Sequence, residues 1–232
     1  MRVEDSLASD HIGAMFALLF EDDDASSGDK ASQNRAISPR GSSNLSGLDN
    51  LGATCYLNAL LQTLHYTPEF RDSLFRLEQQ ELDSKATQAR KIPIELQRLF
   101  SRLLLLNRRS CSTESLTDSF GWTSKEELQQ HDVQELNRIL FSAIESSLVG
   151  TSGEKIVGSL YRGSLVNQIT CNVCGRVSER EEDFMDLPIP VGAASSLQQS
   201  LSQLFINVEL MDGTNQYYCD GYRRKVDATK GC

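Results

Sequence analysis

The stretch Gly47-Leu48-Asp49-Asn50-Leu51-Gly52-Ala53-Thr54-Cys55-Tyr56-Leu57-Asn58-Ala59-Leu60-Leu61-Gln62-Thr63-Leu64 sets a cysteine where a glycine-containing turn runs into an apolar segment. Tyr56, Leu57, Leu60, Leu61 and Leu64 recur at helical spacing, so the pattern predicts a helix with Cys55 at or beside its N-terminus. Unpaired N–H groups and the helix dipole at such a terminus favour thiolate over thiol and so raise nucleophilicity. Asn50, on the same turn, carries an amide N–H2 that can fold back toward the oxygen of an attacked carbonyl. A donor of that kind contributes about 3 kcal/mol in other acyl-transfer enzymes. From composition alone, Cys55 reads as readily as a small buried hydrophobe and Asn50 as a turn residue.

Outward from this stretch the chain continues helical. Thr67 and Pro68 are an N-cap and first helical position for a helix carrying Phe70, Leu74 and Leu77. The repeat of Leu96, Leu99, Phe100, Leu103 and Leu104 predicts a third helix over 94–106. A fourth starts at Asp132, with Glu135 completing a capping box, and is expected to bury Val133, Leu136, Ile139, Leu140, Ala143 and Ile144. From Ile156 the apparent period is two, and it is two again through Val166, Gln168 and Thr170, so strands are expected from there. Leu197, Leu201, Leu204 and Phe205 return briefly to helical spacing before alternation at Ile206, Val208 and Leu210. Helices first and strands later predict an α+β fold in two packed lobes. Residues 1–46, with Asp22, Asp23 and Asp24 followed by a Ser-, Asn- and Gly-rich mixture, are expected to be a disordered acidic and Ser-rich lead-in.

Of 232 residues, 32 are acidic and 23 basic, a net charge of -9 that argues against binding nucleic-acid phosphates. The apolar run at 12–20 is too short to span a bilayer and lacks the flanks of a signal peptide, so no membrane association is expected. Six cysteines fall short of a disulfide scaffold, which fits a reducing setting in cytosol or nucleus.

The segment around Cys55 resembles, nearly residue for residue, the cysteine box of the ubiquitin-specific proteases, papain-like cysteine proteases that remove ubiquitin. Carried over, the resemblance makes Cys55 the nucleophile and Asn50 the oxyanion support. Gln129-Gln130-His131-Asp132-Val133-Gln134-Glu135-Leu136 resembles the glutamine box that follows it in the same family. The implied roles are cleft shaping by Gln130, Asp132 and Glu135, while Asp132 and Glu135 read equally as a capping box. The implied fold is of thumb-fingers-palm type. Residues 47–232 would supply its N-terminal part: a helical thumb, strand-rich fingers and an incomplete palm. The implied partners are ubiquitin and ubiquitinated proteins.

Cys171-Asn172-Val173-Cys174-Gly175 is a C-x-x-C knuckle, half of a tetrahedral zinc site. The resemblance places a second pair at Tyr217-Tyr218-Cys219-Asp220-Gly221-Tyr222, where Tyr222 stands in the fourth position. Cys171, Cys174 and Cys219 then form an incomplete set, zinc is not expected, and the implied chemistry requires no cofactor. The histidines are His11, His65 and His131, and none follows residue 131. His65, ten helical residues past Cys55, lies about 15 Å along the axis. The family places its base in a later box, so these residues are expected to stop short of the catalytic histidine. The alternative is a catalytically inactive ubiquitin-binding fragment or scaffold.

Overall fold

A computed structural model describes residues 38–78, 91–121, 132–192 and 194–232. Contacts divide the chain into two units, Met1–Leu160 and Tyr161–Cys232.

The first unit is helical. A two-residue strand β1 (Gly47–Leu48) precedes α1 (Cys55–His65) and α2 (Pro68–Phe75), followed by α3 (Lys91–Leu105), β2 (Ser110–Cys111), α4 (Glu114–Ser119), α5 (Val133–Leu148) and α6 (Ile156–Tyr161). An 11-residue helix such as α1 is marginal alone in water, so packing must hold it. It packs on α2 and α5 and buries Leu57 and Leu61 completely, in a core shared with the fully buried Phe70, Leu74, Leu96, Phe100, Leu136, Leu140 and Ile144. Each such side chain contributes about 1.5–3 kcal/mol by leaving water. Pro68 takes the first position of α2, where the missing N–H costs nothing. The Thr67 hydroxyl donates to Thr63 O (2.9 Å) and so leaves α2 uncapped by a side chain.

Buried polar groups here close helix ends. Gln97 Nε2 donates to Leu74 O (2.7 Å) and Leu77 O (3.2 Å), reinforcing carbonyls at and just past the end of α2. Arg40 does the same for α3, its guanidinium donating to Leu103 O, Leu104 O and Leu106 O. Arg40 belongs to residues 38–46, which composition assigns to the lead-in. That assignment weighs apolar content, whereas this segment is held by polar contacts to helix carbonyls.

Three local expectations are corrected. Residues Ile156–Tyr161 form a helix, not a strand: six residues are too few for period to separate the two, and the helix puts Ile156 and Val157 into the core. Gly153 lets this turn approach closely, since a Cβ there would collide with Leu77. In α5, Val133 and Ile139 are exposed, because the buried stripe narrows to Leu136, Leu140, Phe141, Ile144 and Leu148. The cap of α5 is one-sided: Asp132 Oδ1 accepts from Gln134 N (2.7 Å), and Glu135 returns no bond to the Asp132 N–H among the described residues. Asp132→Ala should therefore cost about 1 kcal/mol, readable as a lower urea midpoint with unchanged slope, while Glu135→Ala should cost little.

The second unit is strand-rich. Antiparallel β3 (Gly163–Cys171), β4 (Val177–Phe184), β5 (Glu209–Met211) and β8 (Ala228–Gly231) form one sheet in the order β4-β3-β8-β5. In its register Gly163 faces Phe184, and a Cβ at Gly163 would strike that ring, so glycine is required. A helix α7 (Leu197–Leu201) is capped by Ser196 Oγ, which accepts from Gln199 N (3.2 Å), and runs into a wider turn at Ser202–Ile206. A separate hairpin pairs β6 (Tyr217–Cys219) with β7 (Arg224–Val226). Cys171, Cys219 and Val226, with Tyr217 packed on them, are the cluster buried beneath it. A two-stranded hairpin is marginal in water, and three buried side chains are a small core for one. No helix among the described residues is long and apolar enough to cross a membrane.

Candidate active site

The turn that carries Cys55 is built by backbone pairing before any side chain enters. Parallel β1 and β2 align Gly47 with Ser110 and Leu48 with Cys111, and the ladder extends through Gly47 N to Arg109 O (2.8 Å) and Asp49 N to Cys111 O (2.9 Å). Side chains then lock the turn at both ends. Ser110 Oγ donates to Asp49 Oδ1 (2.6 Å), and Asn58 Nδ2, one turn into α1, donates to Asp49 O (2.9 Å). Gly52 sits at φ 142°, a conformation only glycine adopts without strain.

Thr54 is fully buried and organises the rest. Its hydroxyl accepts from Leu51 N (3.1 Å) and donates to Asn50 Oδ1 (3.2 Å), while its N–H also donates to Asn50 Oδ1 (3.2 Å). Two consequences follow. Thr54 occupies the N-cap position of α1, but its hydroxyl is turned to Leu51 and Asn50 and makes no cap hydrogen bond to the first turn beside Cys55. The Asn50 amide is held by its oxygen, which leaves Nδ2 free of acceptors among the described residues and able to donate outward. Cys55, the first residue of α1, is exposed, as is Asn50. An exposed thiol at a helix start and an amide donor on the same turn are two of the parts that acyl transfer through a cysteine uses; a general acid and base is another. The sequence reading gives no role to Thr54, Asp49 or Ser110. Thr54 beside a cysteine at a helix start carried a local signal as a turn-forming hydroxyl; Ser110, 61 residues from Asp49, carried none.

His65 is at the far end of α1 and buried at 4% exposure. Its ring meets Phe100 edge-on, with centroids 5.2 Å apart, and Arg71 Nη1 donates to its carbonyl. Burial, aided by the Arg71 and Arg40 charges, lowers its pKa to about 4. It serves the core and cannot reach Cys55. Of the glutamine segment, Asp132 and Glu135 are exposed at the start of α5, whereas Gln130 and His131 lie outside the described residues.

In the second unit, Cys171 ends β3, Cys174 stands in the exposed turn before β4, and Cys219 ends β6. Their sulfurs all lie within 4.8 Å of one another, with Cys174 and Cys219 at 3.8 Å. Backbone N–H groups of Cys174 and Val173 aimed at the Cys171 sulfur lower its thiol to about 7. Structural zinc is almost always four-coordinate, and this group has three members among the described residues. Tyr222, three residues after Cys219, donates its N–H to Cys219 O (3.1 Å), and its exposed ring lies 5.7 Å beneath the Arg224 guanidinium. Cys232 is exposed and outside the group.

The sequence profile described as ubiquitin carboxyl-terminal hydrolase matches residues 46–224, a span that takes in the Cys55 turn and most of the strand-rich unit. The chain belongs to that family of hydrolases. Human ubiquitin carboxyl-terminal hydrolase 40 is 54% identical over 198 residues, covering 83% of this chain and 16% of its own length. The mouse protein of that name is 49% identical over 231 residues, covering 93% of this chain and 19% of its own length. Ubiquitin carboxyl-terminal hydrolase 47 of Xenopus tropicalis is 41% identical over 238 residues, covering 99% of this chain and 17% of its own length. The chain thus spans less than a fifth of these relatives.

Proposed function

We propose that this chain carries the nucleophile half of a cysteine-type deubiquitinase. Cys55 attacks the carbonyl of ubiquitin's C-terminal glycine, an acyl-enzyme forms, and water hydrolyses it. The observation that carries the reading is the Thr54 clamp on Asn50, which turns an amide donor outward beside an exposed thiol at a helix start. Asn50 Nδ2 and the first-turn N–H groups of α1 would receive the negative charge on the attacked oxygen. Asp132 and Glu135, with Gln130, would border the cleft for the substrate tail. In family terms the helical unit would be the thumb and the strand-rich unit the fingers with part of the palm. This chemistry needs no cofactor, and the partners are ubiquitin and ubiquitinated proteins, met in cytosol or nucleus.

The histidine inventory favours a second reading, a ubiquitin-binding scaffold without turnover, since His65 is committed to the core. The two readings differ at Cys55, because a binder has no use for a reactive thiol. Competitive iodoacetamide labelling at neutral pH, read by peptide mass spectrometry, should find Cys55 more reactive than Cys111, Cys171, Cys174, Cys219 and Cys232. Asn50→Ala should leave that ranking intact, because the amide acts on the oxyanion and not on the thiol. If buried Cys111 or Cys219 reacts faster, Cys55 loses its assignment.

A further inference from the structure

Cys171, Cys174 and Cys219 converge where the β3–β4 turn meets the β6–β7 hairpin, as three thiols among the described residues. The hairpin of β6 and β7 rests on a buried cluster of Cys171, Cys219 and Val226. Nearby polar ties are few: Asn172 N to Asp227 O (3.0 Å), Gln216 Nε2 to Asp227 Oδ1 (2.7 Å) and Thr229 Oγ1 to Asn172 Oδ1 (3.0 Å). All three engage residues outside the hairpin strands, and the β3–β8 ladder pairs Cys171 with Ala228 just past the hairpin, so Cys174 Sγ against Cys219 Sγ is the side-chain contact from the β3–β4 turn to the hairpin strands within this set.

The three thiols are not equivalent. Cys171 is 0% and Cys219 1% exposed, whereas Cys174 lies open in the turn and touches Cys219 at 3.8 Å. A small oxidant therefore meets Cys174 first, and a sulfur able to resolve the product, that of Cys219, lies 3.8 Å away on the hairpin. Gly175 at φ 71° ends the turn in open space, with nothing within 4 Å of a Cβ placed there, so the turn has room to move Cys174 the short distance to a bond of about 2.05 Å.

We propose that Cys174 and Cys219 form a peroxide-responsive disulfide that staples the β6–β7 hairpin to the β3–β4 turn. The Cys174 thiolate attacks hydrogen peroxide: an S–O bond forms, the O–O bond breaks and hydroxide leaves with a proton as water. The Cys219 thiolate then attacks the sulfenic sulfur; an S–S bond forms, the S–O bond breaks and a second water departs. Two thiols and one peroxide become one disulfide and two waters, and a dithiol reductant reverses the change. Cys171, buried, takes no part in the bond. This modification site is independent of the reading of Cys55.

The test treats the 232-residue chain with hydrogen peroxide after EDTA, blocks remaining thiols with iodoacetamide and digests it without reduction. The expected product is a peptide pair joined through Cys174 and Cys219, cleaved by dithiothreitol. It should be absent from Cys174→Ser and retained in Cys171→Ser and Cys55→Ala. Amide exchange over 217–226 should slow by about tenfold or more on oxidation and return on reduction. A dominant Cys171–Cys174 bridge, an unbridged sulfinic acid at Cys174, or one tightly held zinc per chain before EDTA would overturn the proposal. Should Cys174→Ser fail to fold, the oxidised and reduced forms of the unaltered chain still decide it.

Discussion

Incubated with ubiquitin bearing a C-terminal fluorogenic amide, the 232-residue chain is expected to release the fluorophore at no more than background rate, and Cys55→Ala to change nothing measurable. A cysteine acyl transferase needs a group that protonates the leaving amine and later activates water, worth about 10²- to 10⁴-fold. His65 cannot supply it: it is about 15 Å along α1 from Cys55, 4% exposed, and neutral down to a pKa of about 4. His11 precedes the acidic stretch, and the family likeness places the base in a later segment than His131. Adding the later histidine-bearing segment of a relative such as human ubiquitin carboxyl-terminal hydrolase 40 should restore release, and in that fused form Cys55→Ala should abolish it and Asn50→Ala reduce it by about 10²- to 10³-fold. Robust, Cys55-dependent release by these 232 residues alone would refute this and promote His131 to the base.

The second large effect is on stability against acid. His65 is expected to make the helical unit lose about 3 kcal/mol between pH 6.5 and pH 4. The sign follows from where the proton binds. Burial lowers the folded-state pKa from 6.5 to about 4, so between those values the unfolded chain holds a proton that the folded chain refuses. Stability from the neutral ring is fully present above pH 6.5, falls as pH drops through the window and levels off below about 4. Protonation in place would set a cation against Arg71 and Arg40 while the ring lies on Phe100. Urea unfolding at half-unit pH steps, followed by helical circular dichroism, should show a slope near 1.4 kcal/mol per pH unit in mid-window. His65→Gln should be less stable at pH 7.5 but nearly flat across the window. An equal slope in both proteins would trace the acid loss to other groups.

These expectations show how far local pattern carries. The four long helices, the proline start of α2 and the Asp132 cap were legible because helical period and end chemistry are local. Failures came where a local pattern had two physical solutions. Ile156–Tyr161 satisfied a period of two over six residues, and only the need to bury Ile156 and Val157 made it a helix. Val133 and Ile139 fit the apolar stripe of α5 yet face outward, since the width of a buried stripe depends on what packs against it.

The segment around Cys55 determined by itself that this cysteine stands at the first residue of a helix and that Asn50 lies on the same turn. The later sequence by itself supplied the Cys171-x-x-Cys174 knuckle and Cys219. Only the tertiary structure decided that Thr54 gives its hydroxyl to Asn50 instead of capping α1, because that choice depends on a turn held by Ser110 from 61 residues away. It likewise decided that Cys219 comes within 3.8 Å of Cys174 across 45 residues, and that His65 is sealed under Phe100. The physical reason is common to all three. A residue type and its neighbours fix what a group can do, but exclusion of water and the approach of distant strands fix which of those things it does.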